Sequence, residues 1–257
     1  VTPRSFAVAA VSRGTTSVVS DPHEIANVMG TEGVKFMIED ASCVPLKFYF
    51  GAPSCVPATA FDSAGAEIGP ADAEELLKMP QVKYLAEMMN YPGVIYDDPG
   101  VLKKISAARK SGKPVDGHAP GLTGSQLEKY VSAGISTDHE CTSIAEAREK
   151  ISLGMKILIR AGSAARNLDE LKLLFKTDPA MLMLCSDDLH PEMLVKQHIN
   201  KLVSRLVSEG YELFDVLRIG TVNPIRHYSL ESGVLAIGGT ADFILVDDPR
   251  SMNVFET

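Results

Sequence analysis

Acidic and histidine residues follow five short apolar runs of the sequence, directly after each run ends. These endings are 20–24 (SDPHE), 87–90 (EMMN), 116–120 (DGHAP), 137–140 (TDHE) and 186–188 (SDD). Imidazole and carboxylate groups without a nearby pair of thiolates suit divalent ions such as Zn²⁺, Mn²⁺ or Fe²⁺. A cation held in this way lowers the pKa of a bound water and supplies hydroxide near neutral pH. The sequence therefore predicts a metal site with hydrolytic chemistry.

Alternating strand-like and helix-like segments must position these residues. The predicted strands are 15–20, 46–50, 82–86, 114–116, 134–137, 155–159 and 181–185, and the predicted helices between them are 24–40, 71–79, 99–111, 123–132, 143–153 and 167–176. With a leading helix over 3–13, this pattern is one strand short of a (β/α)₈ barrel, in which the carboxyl ends of the strands converge on one face. We therefore expect an α/β barrel whose first strand would precede residue 1.

The C-terminal part of the chain has a different pattern. Residues 191–209 predict one long helix, 214–228 a further element containing Asn223-Pro224, and 233–247 a β-hairpin outside the barrel. The predicted division is a barrel over 1–210, with the equivalents of strands 2–8, and the end of the barrel and start of a small β-domain over 211–257.

Composition excludes several classes of protein. The 257 residues are 45% apolar and 23% charged, with a net charge of −8 and no apolar run near the length of a membrane span. The basic residues are scattered, so neither a nucleic acid nor a membrane is an expected partner. Four cysteines without a Cys-x-x-Cys pair favour reduced thiols and a cytoplasmic protein. They also exclude a structural zinc finger and the cytidine-deaminase type of zinc site.

Several longer strings resemble bacterial adenine deaminases, a branch of the amidohydrolase superfamily. They are 21–28 (DPHEIANV), 53–58 (PSCVPA), 87–94 (EMMNYPGV), 116–121 (DGHAPG) and 138–140 (DHE), and the resemblance extends from residue 1 to about 247. It implies a distorted TIM barrel with a small flanking β-domain and a binuclear centre of Mn, Fe or Zn. The implied reaction of purine metabolism is the hydrolysis of adenine to hypoxanthine and ammonia, in which metal-activated hydroxide attacks C6.

The resemblance also implies individual roles. Glu87 would bridge the two metals, and His118 and His139 would bind the second one. Asp187 would ligate the first metal and shuttle the proton, with adjacent Asp188 as the alternative. The residues expected next to the site, for accessory metal binding or proton transfer, are Asp21, His23 and Glu24, of which His23 is also a catalytic candidate.

Some features of the family pattern are not in the sequence. The family has a His-x-His pair after the first strand and then a Glu-Ser-Ser segment, and neither is present here. We therefore expect an internal piece or a truncated relative, and an unpaired strand edge that favours a homo-oligomer. Two alternatives remain: an amidohydrolase for another cyclic amidine or amide, and an inactive barrel fragment.

Ordinary structural roles also compete at two of the strand ends. One residue of the pair Asp187-Asp188 is expected to cap the helix near Pro191 while the other acts in the site. Glu140 could be part of an exposed polar pair that opens a helix.

Overall fold

The structure, a computed structural model, describes residues 1–59 and 61–257. These residues form two compact units. The first unit consists of Val1–Val18, Cys43–Lys47 and Leu158–Thr257, and the second consists of Val19–Ser42 and Phe48–Ile157. The division proposed from the sequence, with a boundary after residue 210, stays a prediction.

Strands and helices alternate along most of the chain. The strands are β1 (Ser17–Ser20), β2 (Lys47–Ala52), β3 (Val82–Met88), β4 (Val115–Gly117), β5 (Thr137–Asp138), β6 (Lys156–Arg160), β7 (Leu182–Cys185), β8 (Leu245–Val246) and β9 (Val254–Glu256). The helices are α1 (Pro3–Val11), α2 (His23–Ala41), α3 (Pro70–Lys78), α4 (Tyr91–Ile95), α5 (Pro99–Lys110), α6 (Gly124–Ser132), α7 (Ile144–Ser152), α8 (Leu168–Leu171), α9 (Leu174–Thr177), α10 (Pro191–Leu194), α11 (Ile199–Ser208), α12 (Leu213–Gly220) and α13 (Val222–Tyr228). Each of the seven predicted strands overlaps one of β1–β7, which confirms the predicted α/β alternation.

Within each sheet the strands are paired in chain order. The sheets are β1-β2-β3-β4, β5-β6-β7 and β8-β9, and the pairs β2–β3, β3–β4 and β5–β6 are parallel. A parallel bridge from Val115 to Ile135 also joins β4 to the residues just before β5. The carboxyl ends of β3, β4 and β5 therefore lie at the same edge, where Glu87, His118 and His139 are found.

Apolar side chains from strands and helices form the core of the second unit. Phe50, Leu85 and Val115 of the strands pack with Leu76 of α3 and Leu127 of α6, and each is at most 2% exposed. Burial of apolar surface stabilises such a core by about 25 cal/mol per Å². This core fixes the strands whose ends carry the polar residues.

Three predicted elements of the first unit are each interrupted in the structure. The segment 167–176 forms α8 and α9, the segment 191–209 forms α10 and α11, and the segment 214–228 forms α12 and α13. The backbone is extended at His198 (φ −142°, ψ −150°), before α11, and leaves the helical region again at Thr221 (φ −134°, ψ −73°). Asn200 accepts a hydrogen bond from the His198 backbone N–H, so a local side-chain contact replaces the helical one there.

The hairpin predicted over residues 233–247 is wrong. The antiparallel pair that forms is β8 with β9, so Leu245–Val246 pairs with residues further along the chain. The Asp247 carboxylate closes the intervening turn by accepting hydrogen bonds from the Ser251 hydroxyl and from the backbone and side-chain amides of Asn253. These bonds lower the pKa of Asp247 to about 2. The turn chemistry therefore selects a later partner strand.

The length and apolar character of the helices bear on whether any of them could cross a membrane. Within 1–59 and 61–257, none combines the length and the apolar character that crossing a bilayer would require.

Candidate metal centre

Glu87 is the residue on which the polar side chains of the second unit converge. It is the penultimate residue of β3, and its backbone carbonyl accepts a hydrogen bond of 2.5 Å from the Ser54 hydroxyl. Its carboxylate Oε2 lies 2.7 Å from His118 Nδ1 and 3.0 Å from His139 Nε2. One carboxylate oxygen therefore contacts both imidazoles.

The two histidines reach Glu87 from the adjacent strand ends. His118 directly follows β4 and His139 directly follows β5. Their rings meet edge to face, with centroids 5.1 Å apart and an angle of 79° between planes. The side chains of Glu87, His118 and His139 are 17%, 28% and 14% exposed, so a cation could reach them while most of their surface stays away from water.

The pKa of Glu87 favours the charged form of its carboxylate. Burial alone would raise the pKa of Glu87, but its hydrogen bonds to His118 and His139 outweigh burial and hold the pKa well below its usual range. Glu87 is therefore an ionised carboxylate, the form that binds a metal ion.

A second group of polar side chains lies next to the other oxygen of Glu87 and reaches it through His23. His23 Nδ1 lies 3.6 Å from Glu87 Oε1 and 3.0 Å from Asp21 Oδ2, and His23 Nε2 lies 3.8 Å from Glu24 Oε1. Burial opposes the protonated form of His23, but the close contact with Asp21 and the surrounding negative charges raise its pKa to about 10. The predicted polar cluster Asp21, His23 and Glu24 is thus next to Glu87.

Divalent cations fit both groups of residues. The ligand atoms of Glu87, His118 and His139 lie within 4.8 Å of one another, and so do those of Asp21, His23 and Glu87. Within the described part of the chain, Asp21 Oδ2 and His23 Nδ1 are buried atoms that have no hydrogen-bond partner of suitable geometry. Imidazole and carboxylate donors around a shared carboxylate are suited to Zn²⁺, Mn²⁺ or Fe²⁺. The donor chemistry therefore supports a divalent metal centred on Glu87.

Two side chains that were not predicted for the site also contribute to this arrangement. Glu140 Oε1 lies 3.6 Å from His118 Nδ1 and 3.4 Å from His139 Nε2, so this residue belongs to the cluster. Tyr130, buried on α6, accepts a hydrogen bond from the His118 backbone N–H and donates one to the Met88 carbonyl. Its hydroxyl thereby connects the ends of β3 and β4. The DHE string contained a signal for Glu140, whereas nothing local in the sequence distinguishes Tyr130 from an ordinary core residue.

Asp187 and Asp188 lie in the first unit, two and three residues after the end of β7, and both are exposed. Asp187 has a left-handed backbone (φ +47°), and its carboxylate accepts a hydrogen bond of 2.8 Å from Arg160 Nη1. The expectation that one of these aspartates caps the helix near Pro191 is wrong. His190 precedes α10, and among the described residues α10 has no side-chain cap at its N-terminus.

Comparison with known proteins gives a match along the whole chain. A family model described as the amidohydrolase family matches residues 1–257. Adenine deaminase from Sulfurovum sp. (strain NBC37-1) is 54% identical over 255 residues, which are 99% of this chain and 48% of that protein. Adenine deaminase from Salinibacter ruber is 57% identical over 255 residues, which are 99% of this chain and 47% of that protein. The chain thus spans about half the length of the curated relatives it matches.

Solved structures support the fold. The β-aspartyl dipeptidase of Fervidobacterium islandicum AW-1 matches with a TM-score of 0.68 at 17% identity, over 96% of this chain and 73% of that one. N-acetyl-D-glucosamine-6-phosphate deacetylase from Mycobacterium smegmatis matches with a TM-score of 0.64 at 17% identity, over 97% of this chain and 75% of that one. At these identities the likeness concerns the fold alone, and it confirms the predicted α/β barrel fold.

Proposed function

The chain belongs to the amidohydrolase family, and from this premise we propose that the protein hydrolyses adenine to hypoxanthine and ammonia. The observation that carries the proposal is the contact of one Glu87 oxygen with both His118 and His139 at the ends of adjacent parallel strands. The names of relatives more than 50% identical to this chain support adenine as the substrate.

Glu87, His118 and His139 would hold one divalent cation, and Glu87 would be shared with a second one. When bound, such a cation lowers the pKa of water and so supplies the nucleophile near neutral pH. Asp21, His23 and Glu24 lie beside the second oxygen of Glu87, and the carboxylates of Asp21 and Glu24 would favour a cation there. The site would then be binuclear, with manganese, iron or zinc.

Two protons have to be moved during the reaction. Hydrolysis forms a C6–O bond and breaks the bond from C6 to the amino nitrogen. One proton of the water goes to that nitrogen, which leaves as ammonia, and the other goes to ring nitrogen N1 of the product. We assign the transfer from the water to the amino nitrogen to the Asp187 carboxylate, with Asp188 as the alternative and His23 as a further catalytic group. The sequence resemblance supports the roles of Asp187 and Asp188, and the contacts with Asp21 and Glu87 support that of His23.

Ammonia release tests the proposed reaction. The protein expressed from its complete gene should release ammonia from adenine, and cytosine, guanine and dihydroorotate should be poor substrates. Glu87→Gln should abolish release, whereas Glu75→Gln, at an exposed position of α3, should not change it. Turnover of another cyclic amide or amidine in place of adenine would support the alternative amidohydrolase. Full activity of Glu87→Gln would contradict the site itself.

Assembly and location complete the proposal. We propose a homo-oligomer that acts on a small purine in the cytoplasm. Light scattering on the purified protein would measure the first property, and a monodisperse monomer would contradict it. Cell fractionation would measure the second, with activity in the soluble fraction as the expected result.

A further inference from the structure

Lys150 is a buried cation that the proposed reaction does not use. It lies on α7, and its side chain is 0% exposed. Its ammonium donates three hydrogen bonds: 2.7 Å to the Ala119 carbonyl, 2.9 Å to Asp138 Oδ2 and 2.7 Å to Glu146 Oε1. All three donors of the ammonium are therefore satisfied inside the protein.

The partners of Lys150 are the chain neighbours of the two histidines. Ala119 directly follows His118, and Asp138 directly precedes His139. The Asp138 carboxylate also accepts hydrogen bonds from the backbone N–H groups of Ala119, at 2.8 Å, and Glu140, at 3.1 Å. One ammonium and one carboxylate thus tie together the two strand ends.

Glu146 makes a second connection between the same two loops. Its Oε1 accepts a hydrogen bond from the backbone N–H of Gly121, after His118, and its Oε2 accepts one from Thr142, after His139. Asp138, Cys141 and Glu146 could by residue type form a metal site of their own, but the Lys150 ammonium already occupies the position between the two carboxylates. This cluster is therefore a complete structural unit with its own cation.

Burying the charged groups of this cluster costs free energy, so some other benefit has to explain why the cluster is present. Burying charges is costly unless they are paired, and well-packed apolar residues often stabilise a core as well or better. Burial alone would lower the pKa of Lys150, but the charge of Asp138 and the hydrogen bonds to Glu146 and Asp138 together raise that pKa, so the group stays charged. The benefit is geometric, since three directed bonds fix two loops that apolar contacts would leave free to slide.

We propose that Lys150 is a positioning residue that holds the His118 and His139 imidazoles at the separation needed to bind one divalent cation. The proposal rests on the metal role of these histidines in the proposed function. Groups that orient metal ligands from behind typically change metal affinity by about 10–100-fold when they are removed.

Manganese affinity tests the proposal without the enzymatic reaction. The main variant is Lys150→Met combined with Glu146→Gln, which removes one charge of each sign and leaves the net charge of the cluster unchanged. The matched control is Lys78→Met with Glu74→Gln, an exposed pair at the same i, i+4 spacing on α3. Calorimetric titration of metal-free protein with Mn²⁺ should give a Kd about 10–100-fold higher for the Lys150 variant and an unchanged Kd for the control.

The same titration separates failure of this proposal from failure of the proposed function. Loss of Mn²⁺ affinity in His118→Ala with retention in the folded Lys150 double variant would overturn only the positioning role, leaving Lys150 a purely structural residue. Unchanged affinity in His118→Ala would overturn the metal site and the positioning role together.

Hydrogen exchange on the unmodified protein provides a measurement that does not depend on the folding of a variant. Helix α7 carries Lys150 but none of the proposed ligands. If Lys150 couples α7 to the ligand loops, Mn²⁺ should slow amide exchange in α7 as well as in residues 118–121 and 139–142. Slower exchange in the loops alone would overturn the coupling.

Discussion

Substitution of Gly117 by alanine is expected to displace a metal ligand without touching it. Gly117 is the last residue of β4 and directly precedes His118. A Cβ atom at this position would lie 2.3 Å from the Thr137 carbonyl oxygen of β5 and 2.7 Å from Ile135 Cγ2. Since Cβ contacts below 3.0 Å are essentially never seen, the end of β4 must move away from β5 by about 1 Å.

This movement would separate the two imidazoles, because His118 follows β4 and His139 follows β5. Misplacement of reacting groups by about 1 Å costs on the order of 100-fold in rate. Overpacking of a core typically costs about 1–3 kcal/mol in the free energy of unfolding. We expect kcat/KM for adenine to fall about 100-fold in Gly117→Ala, with weaker Mn²⁺ binding and this loss of stability.

The matched control is Gly220→Ala in α12, where the nearest atoms to an added Cβ lie at 3.5 Å, an ordinary contact distance. Steady-state kinetics, calorimetric titration with Mn²⁺ and urea unfolding should be measured for both variants. If Gly117→Ala retains kcat/KM and Mn²⁺ affinity within twofold of the unmodified protein, the inference that this close approach sets the ligand spacing is refuted.

Three further results are expected. Burial lowers the pKa of His198 from 6.5 to about 4. The contribution of this neutral imidazole to stability is therefore complete above pH 6.5 and declines as the pH falls. Between pH 7.5 and 4, the free energy of unfolding in urea should fall by about 3 kcal/mol more for the unmodified protein than for His198→Gln. Equal losses would contradict this burial effect. Asn223→Ala should lower the free energy of unfolding by about 1–3 kcal/mol, because the buried side-chain amide donates hydrogen bonds to the Pro179 and Leu182 carbonyls. An unchanged midpoint of urea unfolding would count against this role. Removing divalent cations with a chelator should lower the calorimetric unfolding temperature, and Mn²⁺ should restore it, since a ligand at 100 times its Kd stabilises the folded protein by about 2.7 kcal/mol. An unchanged unfolding temperature would argue against a bound cation.

The sequence was sufficient to predict the strands and the residues at their ends. Each of the seven apolar runs overlaps a strand, because short apolar runs that alternate with helix-length segments are typical of the buried strands of a parallel sheet. Glu87, His118 and His139 could be grouped in advance because the carboxyl ends of parallel strands meet at one edge. Their types and their strand-end positions are both local properties of the sequence.

Contacts that arise only from packing could not be predicted in this way. Lys150 is an ordinary basic residue on a helix in the sequence, and its i, i+4 spacing from Glu146 is equally typical of an exposed pair. Its burial depends on how α7 packs beneath the two loops. The partner of β8 was mispredicted for a related reason, because hydrogen bonds from the Asp247 turn, rather than the nearer glycines, determine which strand returns.

Anomalous X-ray diffraction from crystals grown with Mn²⁺ tests the metal centre most directly. The expected result is a strong anomalous peak within bonding distance, about 2.0–2.4 Å, of a Glu87 carboxylate oxygen and of nitrogens of both His118 and His139. A variant carrying His118→Ala and His139→Ala should lack this peak. A peak placed elsewhere, or none at Glu87 in the unmodified protein, would contradict the assignment of Glu87, His118 and His139 as the ligands that support hydrolysis.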